Sequence, residues 1–416
     1  MTVLIAGAGI AGLTLGLTLH QIGVPFRIHE ATREIRPLGV GINIQPNAVR
    51  ELLDLGLGDA LDRIGVRTRQ YGFHSKFGHT IWEEPRGTWA GYAWPQYSVH
   101  RGRLQVMLYE TLIARAGPDC VVTGNRALGF RNEADHAILR HSAGEEEGAL
   151  LVAADGIHSA VRAQMYPDEG APIWNGRVLW RATTEAEAFF GGGAMVMIGH
   201  DDLRVVAYPI SDPDPETNRA TINWIAEKRF DPSIGWQKED WNRAADKAAI
   251  LPDFADWRFG WIDVPELIEG ADQIFEYPMV DRDPLPGWTQ GRVTLMGDAA
   301  HPTFPVGSNG ASQAIIDARV IGASLLTHGL TPAALEAFEA EVRPVTTAVG
   351  LANRGSGPDA ILQRVEDLCG GRFDRIEDVI PRAELAAHSA RYKSIAGFSI
   401  DDLNARPPII AAGARV

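Results

Sequence analysis

VLIAGAGIAGLTLGLTLHQIG, residues 3–23, sets a short apolar run before three spaced glycines and a longer apolar run after them. Residues 2–6 predict a strand, and residues 10–22 are long enough for a helix that Gly23 would cap. Phe26 to Glu30 predicts a second strand. The order strand, glycine turn, helix, strand predicts a β-α-β unit at the start of an α/β fold.

The glycines carry a pattern typical of dinucleotide binding. Gly7 permits the tight turn out of the strand, Gly9 lets a pyrophosphate approach the backbone, and Gly12 lets the helix pack closely. Free N–H groups at the helix start, at Ile10 and Ala11, would face the phosphates. Alone the pattern is weak, and its position between strand and helix strengthens it.

Glu30 ends the second strand and is followed by Ala31. A carboxylate there would accept hydrogen bonds from a ribose diol and would repel a 2′-phosphate. The alternative is an exposed carboxylate without a role, which the preceding glycines make less favourable. These residues predict a dinucleotide site but do not distinguish FAD from NAD.

Two later motifs make that distinction. Asp155-Gly156 lies in LVAADGIHSAVR, and Gly297-Asp298 lies in LMGDAAHPTFPVGSNG, each at a predicted strand end. Asp298 is suited to hold a ribityl hydroxyl, and residues 307–310 could offer N–H groups to the N1–C2=O edge of a flavin. Each pair alone is more often a turn, whereas the combination predicts FAD.

Composition excludes several classes of function. The net charge of −14 and the pI of about 5.3 disfavour nucleic acid and anionic membranes as partners. Cys120 and Cys369 are too few for a disulfide framework or a zinc site, so we expect no metal. Glycines interrupt the apolar N-terminus, and no other stretch approaches the length of a membrane span. A cytoplasmic location is expected.

The chain is expected to divide into a discontinuous FAD-binding domain, a substrate domain and a C-terminal region. Residues 171–284 are rich in Trp and in β-like segments, which predicts an antiparallel sheet inserted into the Rossmann-type domain. Segments 1–75, 96–170 and 285–345 would form the FAD-binding domain, and 76–95 would join 171–284 in the substrate domain. Residues 346–416 would be helical, giving an α/β fold that is α+β overall.

The three motifs, in this order and spacing, resemble those of single-component flavoprotein monooxygenases of the p-hydroxybenzoate hydroxylase family. The resemblance covers about the first 350 residues. It is closer still to the phenazine-1-carboxylate hydroxylases, in stretches such as EPRG at 84–87, PQYSVHRGRLQ at 95–105 and GDAAHPTFPVGSNGASQAI at 297–315. Those enzymes hydroxylate their substrate with loss of its carboxyl group.

The resemblance implies a role for each matching position. Gly7, Gly9 and Gly12 would bind the pyrophosphate, Glu30 the adenosine ribose, and Asp298 the ribityl or pyrophosphate region. Further contacts to FAD are implied for Arg36, Val40, Gly41, Arg101, Pro305, Gly307, Ser308, Asn309 and Gly310.

The implied reaction uses tightly bound FAD, NADH or NADPH as a transient co-substrate, and O2. A C4a-hydroperoxide of the flavin would transfer oxygen to a small aromatic or heteroaromatic ring. The sequence has no second strand-anchored G-x-G-x-x-G and no C-x-x-C, which suits a nicotinamide that binds only transiently. The choice between NADH and NADPH, and between monomer and homodimer, stays open.

Substrate contacts are expected where the inserted sheet faces Pro305. Arg181, Arg204, Tyr208 and Trp224 are the candidates, and either arginine could pair with a substrate carboxylate. Interdomain salt bridges and core tryptophans are the alternatives. No catalytic acid or base is assigned, since His301 reads better as a packed histidine.

Two other classes of function stay open. One is a flavin reductase or oxidase that inserts no oxygen, and the other is a binding protein on a relict FAD fold. The intact glycines and acidic motifs argue against the second. The last 60 or so residues match no pattern, and they leave the substrate undetermined.

Overall fold

A computed structural model describes residues 2–231, 233, 243–355 and 357–416. Its first layer is a six-stranded sheet, built from β1 (Val3–Ala6), β2 (Phe26–His29), β8 (Val121–Val122), β12 (Leu150–Ala153), β18 (Thr289–Gln290) and β19 (Val293–Leu295). The strand order is β18-β19-β12-β1-β2-β8, and all neighbours are parallel except β18 and β19.

Helices cover this sheet because their apolar residues are buried against it. The helix predicted at 10–22 spans Ile10–Ile22, and Gly23 ends it in the left-handed conformation with φ 79°. The helices among the described residues are α1 (Ile10–Ile22), α2 (Pro46–Asp54), α3 (Gly58–Ile64), α4 (Arg101–Ala116), α5 (Ala160–Met165), α6 (Lys247–Phe254), α7 (Val264–Gly270), α8 (Gly310–His328), α9 (Pro332–Asn353), α10 (Ala360–Cys369), α11 (Arg382–Ile395) and α12 (Ile400–Ala405).

A seven-stranded sheet forms the second layer, built from β5 (Gln70–His74), β6 (Thr80–Pro85), β13 (Ile173–Glu187), β14 (Ala194–Gly199), β15 (Leu203–Pro209), β16 (Arg219–Arg229) and β17 (Phe275–Asp281). The strand order is β17-β13-β16-β15-β14-β5-β6. Its pairs are antiparallel as predicted, except that β5 and β14 run parallel.

Strand β5 pairs in this second sheet, although the sequence places residues 70–74 before the domain boundary expected at 75. Likewise α9 runs across the boundary expected between 345 and 346.

Two small antiparallel sheets complete the fold, β3-β7-β4 and β11-β10-β9. Their strands are β3 (Gly41–Ile44), β4 (Gly65–Thr68), β7 (Gln96–His100), β9 (Ala127–Asn132), β10 (Ala137–His141) and β11 (Gly144–Gly148). Strand β3 lies close to the seven-stranded sheet, because the Gly41 N–H donates to Asn223 Oδ1 at 2.6 Å.

The two faces of the seven-stranded sheet have different partners. Trp180, Trp224 and Trp257 join an apolar cluster with α6 and α7 on one face. Tyr71, Met195 and Tyr208 on the other face pack with α10 and α11. Trp236 and Trp241, also in the Trp-rich region, lie outside the described residues. No helix among those described has the length and apolar character needed to cross a membrane.

Candidate active site

The predicted motifs converge at one edge of the parallel sheet. Strands β2, β1, β12 and β19 lie side by side, and their parallel pairing puts their carboxyl ends together. Gly7, Glu30, Asp155 and Asp298 follow these four strands. The carboxyl edge of a parallel sheet is where α/β proteins bind ligands.

The three glycines differ in their surroundings as their expected roles require. Gly7 has φ 101°, and a Cβ there would lie 2.4 Å from the Ala154 carbonyl oxygen. A Cβ at Gly12 would lie 2.0 Å from the Gly7 carbonyl oxygen. At Gly9, by contrast, a Cβ would meet no atom within 4 Å. Gly7 and Gly12 allow close packing, whereas Gly9 leaves open space before α1, beside Ile10 and Ala11.

Glu30 is held in place by backbone donors. Its Oε2 accepts from the Ala8 N–H and its Oε1 from the Thr32 N–H, both at 2.7 Å. Each oxygen keeps a free lone pair, so the carboxylate can still accept hydrogen bonds from a diol. Ala31, next to it, is half-buried.

The segment from Arg36 to Gly41 lies between the two layers. Arg36 is exposed and pairs with Glu34 at 2.6 Å, whereas Val40 is buried. The Val40 carbonyl oxygen accepts from the backbone N–H of Arg101, an exposed residue that begins α4. Gly41 packs against the inserted sheet, so this segment lies within reach of both layers.

The two acidic motifs leave carboxylate oxygens available. Asp155 Oδ2 accepts from the Ala160 N–H at 2.9 Å, while its buried Oδ1 has no partner, and burial raises the pKa of this carboxyl group. Asp298 is exposed at its surface, yet desolvation by the surrounding protein raises the pKa of its carboxyl group against the opposing effect of His301 and Arg101. Both could accept hydrogen bonds from hydroxyl groups of a ligand.

The loop from Pro305 to Gly310 ends at the open N-terminus of α8. Ser308 adopts a positive φ of 53°, which is uncommon outside glycine, and a Cβ at Gly310 would meet nothing within 4 Å. Asn309 is buried, and neither polar atom of its amide has a partner. Unpartnered polar atoms, an open glycine and free helix N–H groups fit the polar edge of a flavin.

His301 is linked to the Gly297-Asp298 motif through Asp317. Its Nε2 lies 2.7 Å from Asp317 Oδ2, which also accepts from the Gly297 N–H at 2.8 Å. Burial alone would lower the pKa of His301, but the buried Asp317 carboxylate raises it above its ordinary value. The imidazole thus has a structural partner, consistent with the packed histidine expected from the sequence.

The side chains predicted to contact substrate lie at separate places in the structure. Arg181 donates to the Gly41 carbonyl oxygen at 3.0 Å, and Tyr208 is buried against Gly41, with its pKa raised to about 12 by burial. Trp224 lies on the opposite face and donates to Thr184. Arg204 is buried in an ion pair with Asp359 at 2.5 Å. Arg181 and Tyr208 therefore contact the predicted flavin-facing segment, and Arg204 has the salt bridge named as its alternative.

An open cavity, whose empty volume of about 530 Å³ includes solvent at its mouth, lies between the seven-stranded sheet, the 307–308 loop and the C-terminal helices. Pro305 is exposed near its edge but, like Arg181, Arg204, Tyr208 and Trp224, is not part of its wall. Aromatic side chains line much of it, which suits a flat ring. These are Tyr71, Phe73, Trp82, Tyr392 and Phe398.

Charged side chains at this cavity were missed at the sequence level. Glu84 and Arg86 come from β6 and the turn after it, and Lys393 comes from α11. Burial alone would raise the pKa of Glu84, but Arg86 and Lys393 lower it to about 2. The EPRG motif at 84–87 was a visible signal for the first two, whereas nothing local marked Lys393.

Comparison with known proteins agrees with this geometry. A family model described as "FAD binding domain" matches residues 1–251 and 273–351. Phenazine 1,6-dicarboxylic acid hydroxylase PhzS of Lysobacter antibioticus is 45% identical over 94% of this chain and 96% of its own length. Salicylate hydroxylase of Pseudomonas putida is 28% identical over 83% of this chain and 82% of its own length.

The fold also matches solved structures. Klebsiella pneumoniae HpxO complexed with FAD and uric acid aligns with a TM-score of 0.70 at 23% identity, covering 95% of this chain and 92% of that chain. A salicylate hydroxylase substrate complex aligns with a TM-score of 0.73 at 22% identity, covering 98% of both chains. The sequence match over nearly the whole length places the chain in the family of FAD-dependent aromatic monooxygenases.

Proposed function

We propose that this FAD-dependent aromatic monooxygenase acts on a fused heteroaromatic ring that carries a carboxyl group, of the phenazine-carboxylate kind. The main support is the 45% identity with a phenazine dicarboxylate hydroxylase. The match extends over the inserted sheet and the C-terminal helices. The aromatic cavity beside residues 307–308 supports it.

In this proposal the carboxyl edge of the parallel sheet holds FAD. Open space at Gly9 takes the pyrophosphate, Glu30 the ribose, and Asp298 a ribityl hydroxyl. The N–H groups at the start of α8 face the polar edge of the flavin. Bound FAD, reduced by NADH or NADPH, supplies the activation of O2.

The chain's own residues then position the ring and exclude water. Aromatic walls hold a flat substrate, and α10 and α11 contribute residues to the cavity wall. For a carboxylated ring the overall reaction replaces the carboxyl group by a hydroxyl. Substrate, NAD(P)H, O2 and protons give the hydroxylated ring, CO2, NAD(P)⁺ and water.

We also propose that the seven-stranded sheet is the substrate domain and that the protein is cytoplasmic. The sheet contributes much of the cavity wall. The two cysteines of the chain, Cys120 and Cys369, are both free thiols, which suits a reducing compartment that supplies NADH and NADPH.

The test is substrate-stimulated oxidation of NADH and NADPH by the FAD-loaded protein, with the product mass measured. Phenazine-1-carboxylate and phenazine-1,6-dicarboxylate would be compared with salicylate and 6-hydroxynicotinate. The proposal expects the phenazine acids to give the highest kcat/KM and a product with one oxygen gained and CO2 lost. A preference for a single-ring acid would contradict the proposed substrate class.

A further inference from the structure

The cavity wall carries more positive than negative charge. Among the described residues that line it, Arg86 and Lys393 are cationic and Glu84 is anionic, while His388 lies with its Nε2 3.2 Å from the Pro358 carbonyl oxygen. Asp359, near Tyr71, has its charge paired with Arg204. One positive charge in the wall is therefore without an anion.

Glu84 pairs with both cations. Its Oε1 lies 2.6 Å from an Arg86 nitrogen, as an ion pair without hydrogen-bond geometry, and its Oε2 accepts from Lys393 Nζ at 3.0 Å and from the Ser389 hydroxyl. Burial and these partners keep Glu84 ionised and fixed. Glu84 thus holds both cationic side chains in one region of the wall, but its single negative charge balances only one of their two positive charges.

Two buried donors in the same region have no partner. The Arg86 Nε and the Tyr71 hydroxyl are both buried and make no hydrogen bond with any residue that the structure describes. The Arg86 guanidinium lies 4.9 Å from the centroid of the Tyr71 ring, so the two side chains are neighbours. An unpaired buried donor is costly, and a ligand with acceptor oxygens would satisfy both.

We propose that Arg86 and Lys393, with the Tyr71 hydroxyl, form the site that binds the substrate carboxylate. The inference rests on the proposed function, and it names the residues that select an acid over the parent ring. A guanidinium presents paired N–H donors that match the two oxygens of a carboxylate. The ammonium of Lys393 supplies the remaining charge balance.

The experiment measures binding to the FAD-loaded protein through the perturbed flavin absorbance. Phenazine-1-carboxylate is compared with phenazine, which lacks only the carboxyl group. Arg86→Gln and Lys393→Gln are expected to weaken carboxylate binding by roughly 10- to 100-fold, since each removes a charged donor. Binding of phenazine should change by less than about threefold, because the aromatic wall is retained.

Arg391→Gln is the matched control, because Arg391 lies on the same helix but is exposed. The double variant Glu84→Gln with Arg86→Gln removes the buried ion pair as a whole, and it covers the case in which Arg86→Gln alone does not fold. It should also lose the preference for the acid. Arg86→Lys retains charge and should recover part of it.

Binding separates this inference from the proposed function, since a ligand binds without being oxidised. A carboxylate that binds through these residues yet gives no hydroxylated product would contradict the proposed function alone. Variants that bind phenazine-1-carboxylate as tightly as the unaltered protein would overturn the inference. Equal losses for the acid and for phenazine would overturn it too.

Discussion

Gly9 is a residue at which a substitution should weaken cofactor binding without affecting the folding of the protein. Its φ of −74° suits alanine, and a Cβ there meets nothing within 4 Å of protein. Gly9→Ala should therefore leave the Tm of the FAD-free protein unchanged. It should weaken FAD binding by about 10- to 100-fold, the effect of a clash of roughly 1–3 kcal/mol with the pyrophosphate.

Fluorescence titration of the FAD-free protein measures this affinity. Gly355→Ala is the matched control, because Gly355 also has open space and no positive φ. Gly12→Ala should instead destabilise the protein itself, since its Cβ would overlap the Gly7 carbonyl oxygen. Unchanged FAD affinity in Gly9→Ala would contradict the assignment of this turn to the pyrophosphate.

The contribution of His301 to the stability of the fold should depend on pH. Asp317 raises its folded pKa above the ordinary value of about 6.5, so the imidazolium stabilises the fold fully below that pH. The contribution is lost as pH rises through the higher folded pKa. Replacing His301 by Asn should cost about 2 kcal/mol at pH 5.5 and less at pH 9. Urea unfolding at both pH values measures it, and a larger cost at pH 9 would contradict the prediction.

Helix α11 connects the C-terminal region to the loop at 305–310. The Tyr392 hydroxyl donates to Asn353 Oδ1 at 3.0 Å, and a Cβ at Gly307 would lie 2.0 Å from that hydroxyl oxygen. Gly307 is therefore required where the tyrosine packs. The C-terminal region, whose sequence matched no pattern, therefore packs against the glycine-rich loop at 305–310.

Tyr392→Phe tests this connection between elements. Loss of the hydroxyl should destabilise the protein by about 1–2 kcal/mol, because Asn353 Oδ1 stays buried without that donor. It should also shift the reduction potential of the bound flavin, since the loop at Gly307 loses its support. Tyr109→Phe, on the half-buried face of α4, is the control and should change neither quantity. A potential identical to that of the unaltered protein would disprove the support role.

The elements near the cofactor were predictable from sequence because local chemistry determines them. Strand β1 and helix α1 lie at the predicted positions, since glycine spacing and apolar runs act over a few residues. The set of residues that lines the cavity was not predictable from the sequence. Lys393 and Glu84 are 309 positions apart in the chain, and only tertiary packing brings them together.

Strand facing explains why Trp224 is separated from Arg181 and Tyr208. Ala182, Trp224 and Ala207 lie opposite one another in register, and their side chains face α6 and α7. Arg181 and Tyr208, one position away, face the other side. A strand alternates faces at every residue, so an uncertainty of one position exchanges one face of the sheet for the other.

At the scale of the whole molecule, the cofactor edge and the substrate cavity come from different layers. The parallel sheet supplies Gly9, Glu30 and Asp298, while the seven-stranded sheet and C-terminal helices supply the cavity wall. The 307–308 loop belongs to the chain segment between β19 and α8 and lines the cavity. This arrangement brings a bound ring next to the place expected for the flavin, as aromatic hydroxylation requires.

Transfer of oxygen from O2 to the ring is the defining step of a monooxygenase, and isotope labelling measures it. The FAD-loaded protein would be given NADH or NADPH and phenazine-1-carboxylate under ¹⁸O-labelled O2, and the product analysed by mass spectrometry. We expect one labelled oxygen in the hydroxylated ring, with none incorporated from water. Product oxygen derived from water, or consumption of NAD(P)H that yields only hydrogen peroxide with every aromatic acid tested, would contradict it.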